Sequence, residues 1–310
     1  MNAEEKVISI VGFGNIGKLI CALLLPYRDH QFRINIVDVD ESVEGALIDF
    51  KHGNELYPNH SIVYNDEVAF NASDYIFHCA GASVPKGKSR LYTCQQSIEI
   101  TEAVFQGFNP VKVPFIIVVA NPVDIISTIT HKLTGLPVSH VIGTGTFLDS
   151  IRMNQIVKEQ NNDLSSIDTV LLGEHGASVF LSHQLSTVNG KQFSEVFKEE
   201  TISSYLARMK SAAAEIKRTQ DATIYGVSYC AISIFESLLL DNAQNQPVCT
   251  AIPNYLNKEL GGSSMFVSLY SRIDANGATP IMTYAPDTDE LEALRESVNV
   301  LLPLIPDRYR

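Results

Sequence analysis

Apolar runs rich in β-branched residues alternate with amphipathic stretches along the first half of the chain. The amphipathic stretches predict helices, at residues 18–25, 42–50, 94–108 and 123–133. The apolar runs predict buried strands, at residues 7–11, 32–37, 61–64, 74–79, 115–119 and 140–142. Strands that alternate with helices in this way form a doubly wound parallel sheet, so an α/β fold is expected for residues 1–143.

The pattern changes beyond residue 143. Helices are predicted at 147–160, 195–218, 222–240 and 288–302, with strands before His175 and within 247–284. Residues 179–193 predict a hairpin that turns at Asn189-Gly190, a pair favoured in tight two-residue turns. Helices mixed with antiparallel strands predict an α+β domain. We therefore expect a second domain over residues 144–310, stacked on the first.

The composition is ordinary for a folded protein, with 45% apolar and 19% charged residues in a chain of 310. The formal net charge of −12 disfavours nucleic acid and membrane surfaces as partners, because both are anionic. The five cysteines are scattered and form no CxxC pair, so we expect neither a disulfide framework nor a metal site. The first residues do not resemble a signal peptide, and no apolar run reaches the length of a membrane span, so a cytoplasmic protein is expected.

A glycine-rich turn, Gly12-Phe13-Gly14-Asn15-Ile16-Gly17, follows the first predicted strand. Gly12 permits a tight turn, Gly14 lets the backbone approach a pyrophosphate, and Gly17 lets the helix and strand pack closely. Asp38 ends the second strand, where a carboxylate accepts hydrogen bonds from adenosine ribose hydroxyls and repels the extra phosphate of NADP. This order of strand, turn, helix, strand and acid predicts an NAD site. The alternative, that the glycines serve only to let the helix and strand pack, is disfavoured.

Ligands of doubly wound sheets bind beyond the carboxyl ends of the strands. Those ends are followed here by Ala80-Gly81-Ala82, Ala120-Asn121-Pro122 and Gly143-Thr144-Gly145, so we expect these segments along one crevice. The candidate cofactor-binding residues belong to the glycine turn, the end of the second strand and this crevice; they are Gly12, Gly14, Asn15, Ile16, Gly17, Asp38, Ala80, Gly81, Ala82 and Asn121.

Three residues of the second half carry candidate acid–base and anion-binding chemistry. His175 lies between glycines in Gly173-Glu174-His175-Gly176, and an imidazole both takes and gives a proton near neutral pH. Asp149 and Arg152 lie three residues apart on one predicted helix and therefore share a face. Arg152 can hold a carboxylate through two parallel hydrogen bonds, which a lysine cannot reproduce. A turn histidine or an intrahelical ion pair on its own is more often structural, so only the combination supports a catalytic interpretation.

Five motifs together resemble one protein family. They occur in a fixed order and are the glycine turn, Asn121-Pro122-Val123-Asp124, Val141-Ile142-Gly143-Thr144-Gly145, Leu148-Asp149-Ser150-Ile151-Arg152 and Gly173-Glu174-His175-Gly176. Over essentially the whole chain this set resembles the L-lactate/malate dehydrogenase superfamily, and most of all the bacterial L-lactate and L-2-hydroxyacid dehydrogenases. The resemblance implies a Rossmann-type domain, NAD as the cofactor, and reversible hydride transfer between NADH and a 2-oxo acid.

The resemblance also implies roles for the acid–base set. His175 would move the proton, and Arg152 would anchor the substrate carboxylate. Asp149 would orient His175 and stabilise its protonated form, which raises the pKa of the imidazole. The oxo acid should then bind best to protonated enzyme.

Three further residues take their roles from the same resemblance. Arg90 lies at the end of a loop that the family uses as a lid, and it would polarise the reacting carbonyl once the lid excludes water. Asn121 would direct its amide at the substrate oxygen or the cofactor. Thr223 would form a wall of the substrate pocket.

Val84 departs from the family at the lid position that selects the substrate side chain. Lactate dehydrogenases typically carry glutamine there and malate dehydrogenases arginine, whereas valine offers neither charge nor hydrogen bond. The second carboxylate of oxaloacetate would be left without a partner, which is costly. We therefore expect pyruvate or a longer aliphatic 2-oxo acid as the substrate. Malate dehydrogenation is the alternative if Lys86 or Lys88 reaches inward.

The resemblance bears on regulation and assembly as well. Many bacterial lactate dehydrogenases bind fructose 1,6-bisphosphate through an arginine and a histidine, whose positions are occupied here by Asn154 and Asp168. An aspartate repels a phosphate, so activation by this sugar is not expected. The family suggests a homodimer or homotetramer.

Two functions of other classes compete with this interpretation. A catalytically silent NAD-binding protein, structural or sensory, would keep the glycine turn and lose the acid–base set, which this chain retains. An NAD-dependent glycosidase would need a metal-binding arrangement of cysteine and histidine, which the sequence lacks.

Overall fold

The computed structural model describes residues 4–82, 90–261 and 265–310, with the backbone alone for Arg90 and Leu91. Its strands are β1 Lys6–Val11, β2 Phe32–Val37, β3 Ser61–Tyr64, β4 Tyr75–His78, β5 Phe115–Val118, β6 Val141–Gly143, β7 Ile167–Asp168, β8 Leu171–Leu172, β9 Phe180–Leu181, β10 Thr187–Val188, β11 Lys191–Gln192, β12 Gln244–Ala251, β13 Phe266–Asp274 and β14 Gly277–Pro280. Its α-helices are α1 Asn15–Leu24, α2 Glu44–Asn54, α3 Glu67–Asn71, α4 Cys94–Phe105, α5 Val123–Thr134, α6 Phe147–Gln160, α7 Phe193–Val196, α8 Glu199–Ile216, α9 Tyr225–Leu239, α10 Asn254–Asn257 and α11 Thr288–Leu301.

The first six strands form the predicted doubly wound sheet. They are parallel and lie in the order β3-β2-β1-β4-β5-β6. The chain adds β2 and β3 on one side of β1 and then adds β4, β5 and β6 on the other side, so the strand order reverses between β1 and β4. Residues on both faces of these strands are apolar and fully buried, among them Ile34 and Ile117 on one face and Ile116 on the other. Burial on both faces is what a parallel sheet covered by helices requires. The predicted α/β fold is confirmed.

The strands of the second half extend this sheet. β12 pairs antiparallel with β6 through Cys249 and Gly143, and β13 and β14 follow at the same edge. The large sheet therefore continues across residue 143, and the division into domains at that residue stays a prediction. No helix in the described ranges is long and apolar enough to cross a bilayer.

The region after β8 differs in part from its prediction. The turn at Asn189-Gly190 forms as expected, with φ of 49° and 76°, and it joins β10 to β11. Positive φ at both residues is typical of the type I′ turn. β9, however, pairs with β8 rather than within this hairpin. The predicted single hairpin over 179–193 is therefore two separate pairings.

Helix α9 from the second half covers one face of the parallel sheet. Its Phe235 packs against Tyr75 and Phe77 of β4, with ring centroids 5.0 and 5.6 Å apart. The same ring lies 6.0 Å from that of Phe32 on β2. These buried aromatic contacts fix α9 of the second half against the sheet of the first half.

Candidate functional site

The glycine turn after β1 is fixed by backbone contacts. Gly12 has φ +87°, and a Cβ there would lie 2.5 Å from the backbone nitrogen of Ala80. A Cβ at Gly17 would lie 2.2 Å from the carbonyl oxygen of Gly12. Neither position therefore accepts a side chain. A Cβ at Gly14 would meet nothing within 4 Å, which leaves the turn open on the side where a ligand backbone approaches.

Helix α1 begins beside this open space. Its N-cap residue is Gly14, and no side chain caps the first turn. The N–H groups of that turn are thus left for an anion, with the positive end of the helix dipole behind them. Asn15 and Ile16 are the first residues of the helix. This arrangement fits a pyrophosphate.

Asp38 connects the end of β2 to the glycine turn. Its Oδ2 accepts a hydrogen bond from the Phe13 N–H at 2.5 Å, and its Oδ1 accepts one from the Asp40 N–H at 2.9 Å. A carboxylate oxygen has a second lone pair, so both can still accept bonds from ribose hydroxyls. The half-buried carboxylate is therefore held where the dinucleotide interpretation requires it.

Two of the predicted crevice segments, residues 80–82 and 120–122, lie side by side. A Cβ at Gly81 would lie 3.5 Å from that of Ala120, and the Ala82 N–H donates to the Ser97 hydroxyl at 3.2 Å. Asn121 precedes a cis peptide bond to Pro122. Its Oδ1 is buried and has no hydrogen-bond partner among the described residues, although Nδ2 donates to the Val119 carbonyl at 3.4 Å. A buried acceptor without a partner is unfavourable unless a ligand fills it, which fits a site for cofactor or substrate.

The predicted acid–base set comes together. His175 Nδ1 lies 2.5 Å from Asp149 Oδ2, and Arg152 Nη1 lies 3.3 Å from Asp149 Oδ1. The side chains of His175 and Asp149 are each 7% exposed, and that of Arg152 is 13% exposed. One carboxylate thus contacts both an imidazole and a guanidinium at the edge of solvent. We refer to His175, Asp149 and Arg152 as the histidine cluster.

Local geometry explains how the sequence places the histidine loop, which comprises residues 173–178. Gly173 has φ +90° and exchanges two backbone hydrogen bonds with Ser268 of β13, at 3.0 and 3.1 Å. Glu174 points inward, where its Oε2 accepts from the Ser178 N–H at 3.0 Å and hydroxyl at 2.6 Å. A Cβ at Gly176 would lie 2.2 Å from Glu174 Oε1. The glycines of this motif are needed for the turn, and the motif's glutamate braces it.

Asp124 contributes a contact that the sequence interpretation did not identify. Its Oδ2 accepts a hydrogen bond from the backbone N–H of His175 at 3.0 Å. The carboxyl is fully buried, and burial raises its pKa to about 7. The signal was present in the sequence, because this acid interrupts a stretch of α5 whose other residues are apolar or small and buried. His175 is therefore held by one carboxylate at its ring and another at its backbone.

Thr223 and Arg152 line one cavity of about 380 Å³ between α6 and the start of α9. Its other lining residues are mainly apolar and include Leu148, Ile224 and Val227. Thr223 therefore shares a cavity with Arg152 of the histidine cluster, and its role as a wall of the substrate pocket stays a prediction.

Two predicted site residues cannot be placed in the same way. Val84 lies outside the described residues. The backbone of Arg90 begins a 3-10 turn, Arg90–Thr93, before α4, and its side chain lies outside the description. Their roles in the lid stay predictions. Within the described ranges, no group of three or more histidine, cysteine or acidic side chains is placed to hold a metal ion.

The fold and site define a class of protein, the dinucleotide-dependent dehydrogenases: a doubly wound sheet with a phosphate-binding turn and a histidine–carboxylate pair beside its crevice. Two family models match the chain. Residues 6–143 match the NAD binding domain of lactate/malate dehydrogenase, and residues 146–307 match its alpha/beta C-terminal domain. The chain belongs to the lactate/malate dehydrogenase family.

Individual relatives agree with this assignment. An L-lactate dehydrogenase of Clostridium botulinum is 30% identical over 258 residues, which cover 80% of this chain and 81% of the relative. One of Bacillus pumilus is 25% identical over 322 residues and covers 99% of both chains. A crystal structure of the minor L-lactate dehydrogenase from Enterococcus mundtii, in a ligand-bound form, superposes with a TM-score of 0.85 at 26% identity and covers 100% of this chain and 99% of that one.

A malate dehydrogenase from Plasmodium falciparum has the same fold, with a TM-score of 0.86, 21% identity and 97% coverage of both chains. The family, its fold and its cofactor are as the sequence predicted. The chain is an NAD-dependent oxidoreductase that acts on a 2-hydroxy acid.

Proposed function

We propose that this enzyme is an L-lactate-type dehydrogenase that reduces pyruvate or a longer aliphatic 2-oxo acid with NADH, and catalyses the reverse reaction. The observation that carries the proposal is the contact of Asp149 with both His175 and Arg152, at 2.5 and 3.3 Å. A proton donor, an orienting carboxylate and a carboxylate anchor are the groups that a 2-oxo acid needs when it accepts a hydride.

The histidine cluster supports a division of labour. Since Asp149 holds His175 at Nδ1, proton exchange with the substrate falls to Nε2. The negative charge of Asp149 stabilises the imidazolium before the proton is given to the C2 oxygen. Arg152 binds the substrate carboxylate through its guanidinium fork, which places C2 beside His175. NADH, when bound in the crevice, would supply the hydride.

Other residues set up this arrangement. Asp124 fixes the backbone of His175, and so limits movement of the imidazole. Asp38 favours NAD over NADP, because a 2′-phosphate would approach a carboxylate. Arg90 polarises the C2 carbonyl from the lid, and the amide of Asn121 reaches the substrate oxygen or the cofactor. These assignments are part of the proposal.

The substrate preference rests on apolar surroundings. Val84 brings no charge to the lid, and the lining of the cavity beside Thr223 includes five aliphatic side chains. An apolar wall accepts a methyl or branched alkyl group and leaves a second carboxylate without a partner. The relatives named L-lactate dehydrogenase favour the same choice. Malate dehydrogenation is the second candidate, and a lysine of the lid that paired with the second carboxylate would favour it.

A homo-oligomer is part of the proposal, as a dimer or tetramer. Tyr225 and Tyr229 lie one turn apart on α9 and are 59% and 56% exposed, and Ile151 on the neighbouring α6 is 38% exposed. Exposed apolar side chains that cluster on adjacent helices are typical of interfaces. Light scattering on the eluting protein measures the mass of the assembly, and a monomer of 34.1 kDa would contradict this part.

Fructose 1,6-bisphosphate should not activate the enzyme. Asn154 is engaged elsewhere, since its Oδ1 accepts hydrogen bonds from both the N–H and the hydroxyl of Thr169, each at 2.8 Å. Asp168 would repel a phosphate. A marked fall in the KM for pyruvate on addition of the sugar bisphosphate would show otherwise.

The proposal is tested by NADH oxidation with pyruvate, oxaloacetate, 2-oxoisocaproate and phenylpyruvate. We expect turnover with pyruvate or 2-oxoisocaproate to exceed turnover with oxaloacetate, and His175→Ala to abolish it. His183→Ala, at an exposed histidine of the same region, is the matched control and should retain activity. NADH binding without oxidation by any of the four acids would instead support the silent NAD-binding alternative.

A further inference from the structure

A second cavity, of about 340 Å³, shares Arg152 with the cavity beside Thr223 and is also lined by Asp149. Asp149, Arg152 and the backbone after His175 line it from one side, and α8 lines it with Met209, Lys210 and Ala213. Arg152 therefore faces both this cavity and the apolar one beside Thr223. A substrate anchored at Arg152 has two directions in which its side chain can extend.

Lys210 brings positive charge to this second cavity. Its Nζ donates a hydrogen bond to the carbonyl oxygen of Ala177 at 2.8 Å, which holds the side chain against the histidine loop. An ammonium group has three donors, and this bond uses one of them. The others are available to a ligand in the cavity.

The charges that line this cavity are unequal. Asp149 is the acidic residue among the described lining residues, and its carboxylate already contacts Arg152 and His175. Lys210 therefore adds a positive charge that the carboxylate of Asp149 does not balance. In a protein of net charge −12, a cleft that concentrates positive charge attracts small anions. A substrate carboxylate on Arg152 accounts for one anion, and Lys210 can bind a second.

We propose that Lys210 is a second anion-binding residue of the substrate site, which pairs with the distal carboxylate of a 2-oxo diacid. This inference rests on the proposed function, because it assumes that Arg152 holds the first carboxylate. It locates diacid recognition on α8 rather than on the lid, where Val84 offers no charge. Whatever turnover the enzyme shows with a 2-oxo diacid should then depend on Lys210.

The test compares diacids with monoacids in variants of Lys210. Lys210→Met keeps the aliphatic stem and removes the ammonium, while Lys210→Arg keeps a positive charge. Lys198→Met, at the exposed N-cap of α8, is the control for the same change in net charge. For each protein, kcat/KM is measured with oxaloacetate and 2-oxoglutarate, and with pyruvate and 2-oxoisocaproate.

We expect Lys210→Met to lower kcat/KM for the diacids about fivefold, because Lys210 is exposed and water weakens its pairing with a carboxylate. The monoacid values should change less than about twofold. Lys210→Arg should recover most of the diacid activity, and Lys198→Met should match the wild type. Equal losses for diacids and monoacids would mean that Lys210 only braces Ala177, and would overturn the inference. Wild-type turnover confined to monoacids would overturn it as well. Failure with all four acids would instead refute the proposed function.

Discussion

Replacement of Asp149 by asparagine tests the histidine cluster at its centre. The amide is nearly isosteric and can still accept a hydrogen bond from His175 Nδ1, which lies 2.5 Å from the present Oδ2. Orientation of the imidazole is thus largely kept, while the negative charge that stabilises its protonated form is lost. The substitution separates electrostatic stabilisation from positioning.

The expected loss follows from burial. The side chains of His175 and Asp149 are each only 7% exposed, so water screens their interaction poorly. Neutralising one partner of a buried charged pair costs roughly 3 to 5 kcal/mol, and a tenfold change in rate corresponds to about 1.4 kcal/mol. We therefore expect kcat/KM for the oxo acid to fall by roughly a hundredfold to a few thousandfold. The binding of NADH should change little.

The assay is NADH oxidation with pyruvate or the preferred acid, at several values between about pH 6 and 9. Glu159→Gln on the same helix is the matched control. Glu159 pairs with Arg208 at 2.7 Å, but both side chains are 45% exposed, so this pair should matter little for activity. If Asp149→Asn retained more than about a third of kcat/KM with an unchanged pH profile, the electrostatic role of Asp149 would be wrong.

Three further predictions concern the cofactor, the lid and the buried acid. Gly14→Ala should weaken NADH binding without lowering the melting temperature. Gly12→Ala should lower both the NADH affinity and the melting temperature, because its Cβ would lie 2.5 Å from the Ala80 nitrogen. Equal melting temperatures for the two variants would contradict this prediction. Val84→Arg should raise the ratio of oxaloacetate to pyruvate turnover, and an unchanged ratio would mean that Val84 does not face the substrate. Burial raises the pKa of Asp124 to about 7. Between about pH 4 and 7 the folded chain therefore keeps a proton that the unfolded chain releases. As a consequence, the free energy of unfolding should fall as pH rises from about 4 to 7. Asp124→Asn should flatten this pH dependence of the free energy of unfolding, measured by urea unfolding. A variant with the same slope as the wild type would show that Asp124 is not its cause.

The sequence predicted the parallel sheet well because its signal is local and strong. The strands at 32–37 and 61–64 and the helix at 147–160 form at the predicted residues, since each is a clear run or period bounded by polar residues or glycine. The short helix α3 was missed. Asp66 caps it by accepting a hydrogen bond from the Ala69 N–H, but five residues are too few to show a helical period.

Contacts between segments that are distant in the sequence were harder to predict. β8 and β9 are each two residues long, so their composition does not show which strand each of them pairs with. The contact of Asp124 with the backbone of His175 joins residues 51 apart in sequence, and that of Lys210 with Ala177 joins residues 33 apart. Motif residues such as Asp149 and His175 could be chosen from the sequence, but the buried acid and the lysine beside them depend on how β13, α5 and α8 meet around the loop.

The most direct test of the central claim is the pH dependence of oxamate binding to the complex of enzyme and NADH. Oxamate is an unreactive analogue of pyruvate, so its dissociation constant reports binding without turnover. If His175 carries the proton and Asp149 stabilises its charged form, the dissociation constant should rise up to about tenfold per pH unit above the pKa of the imidazole. His175→Ala should remove that dependence. A wild-type dissociation constant that stays flat between about pH 6 and 9 would contradict the account.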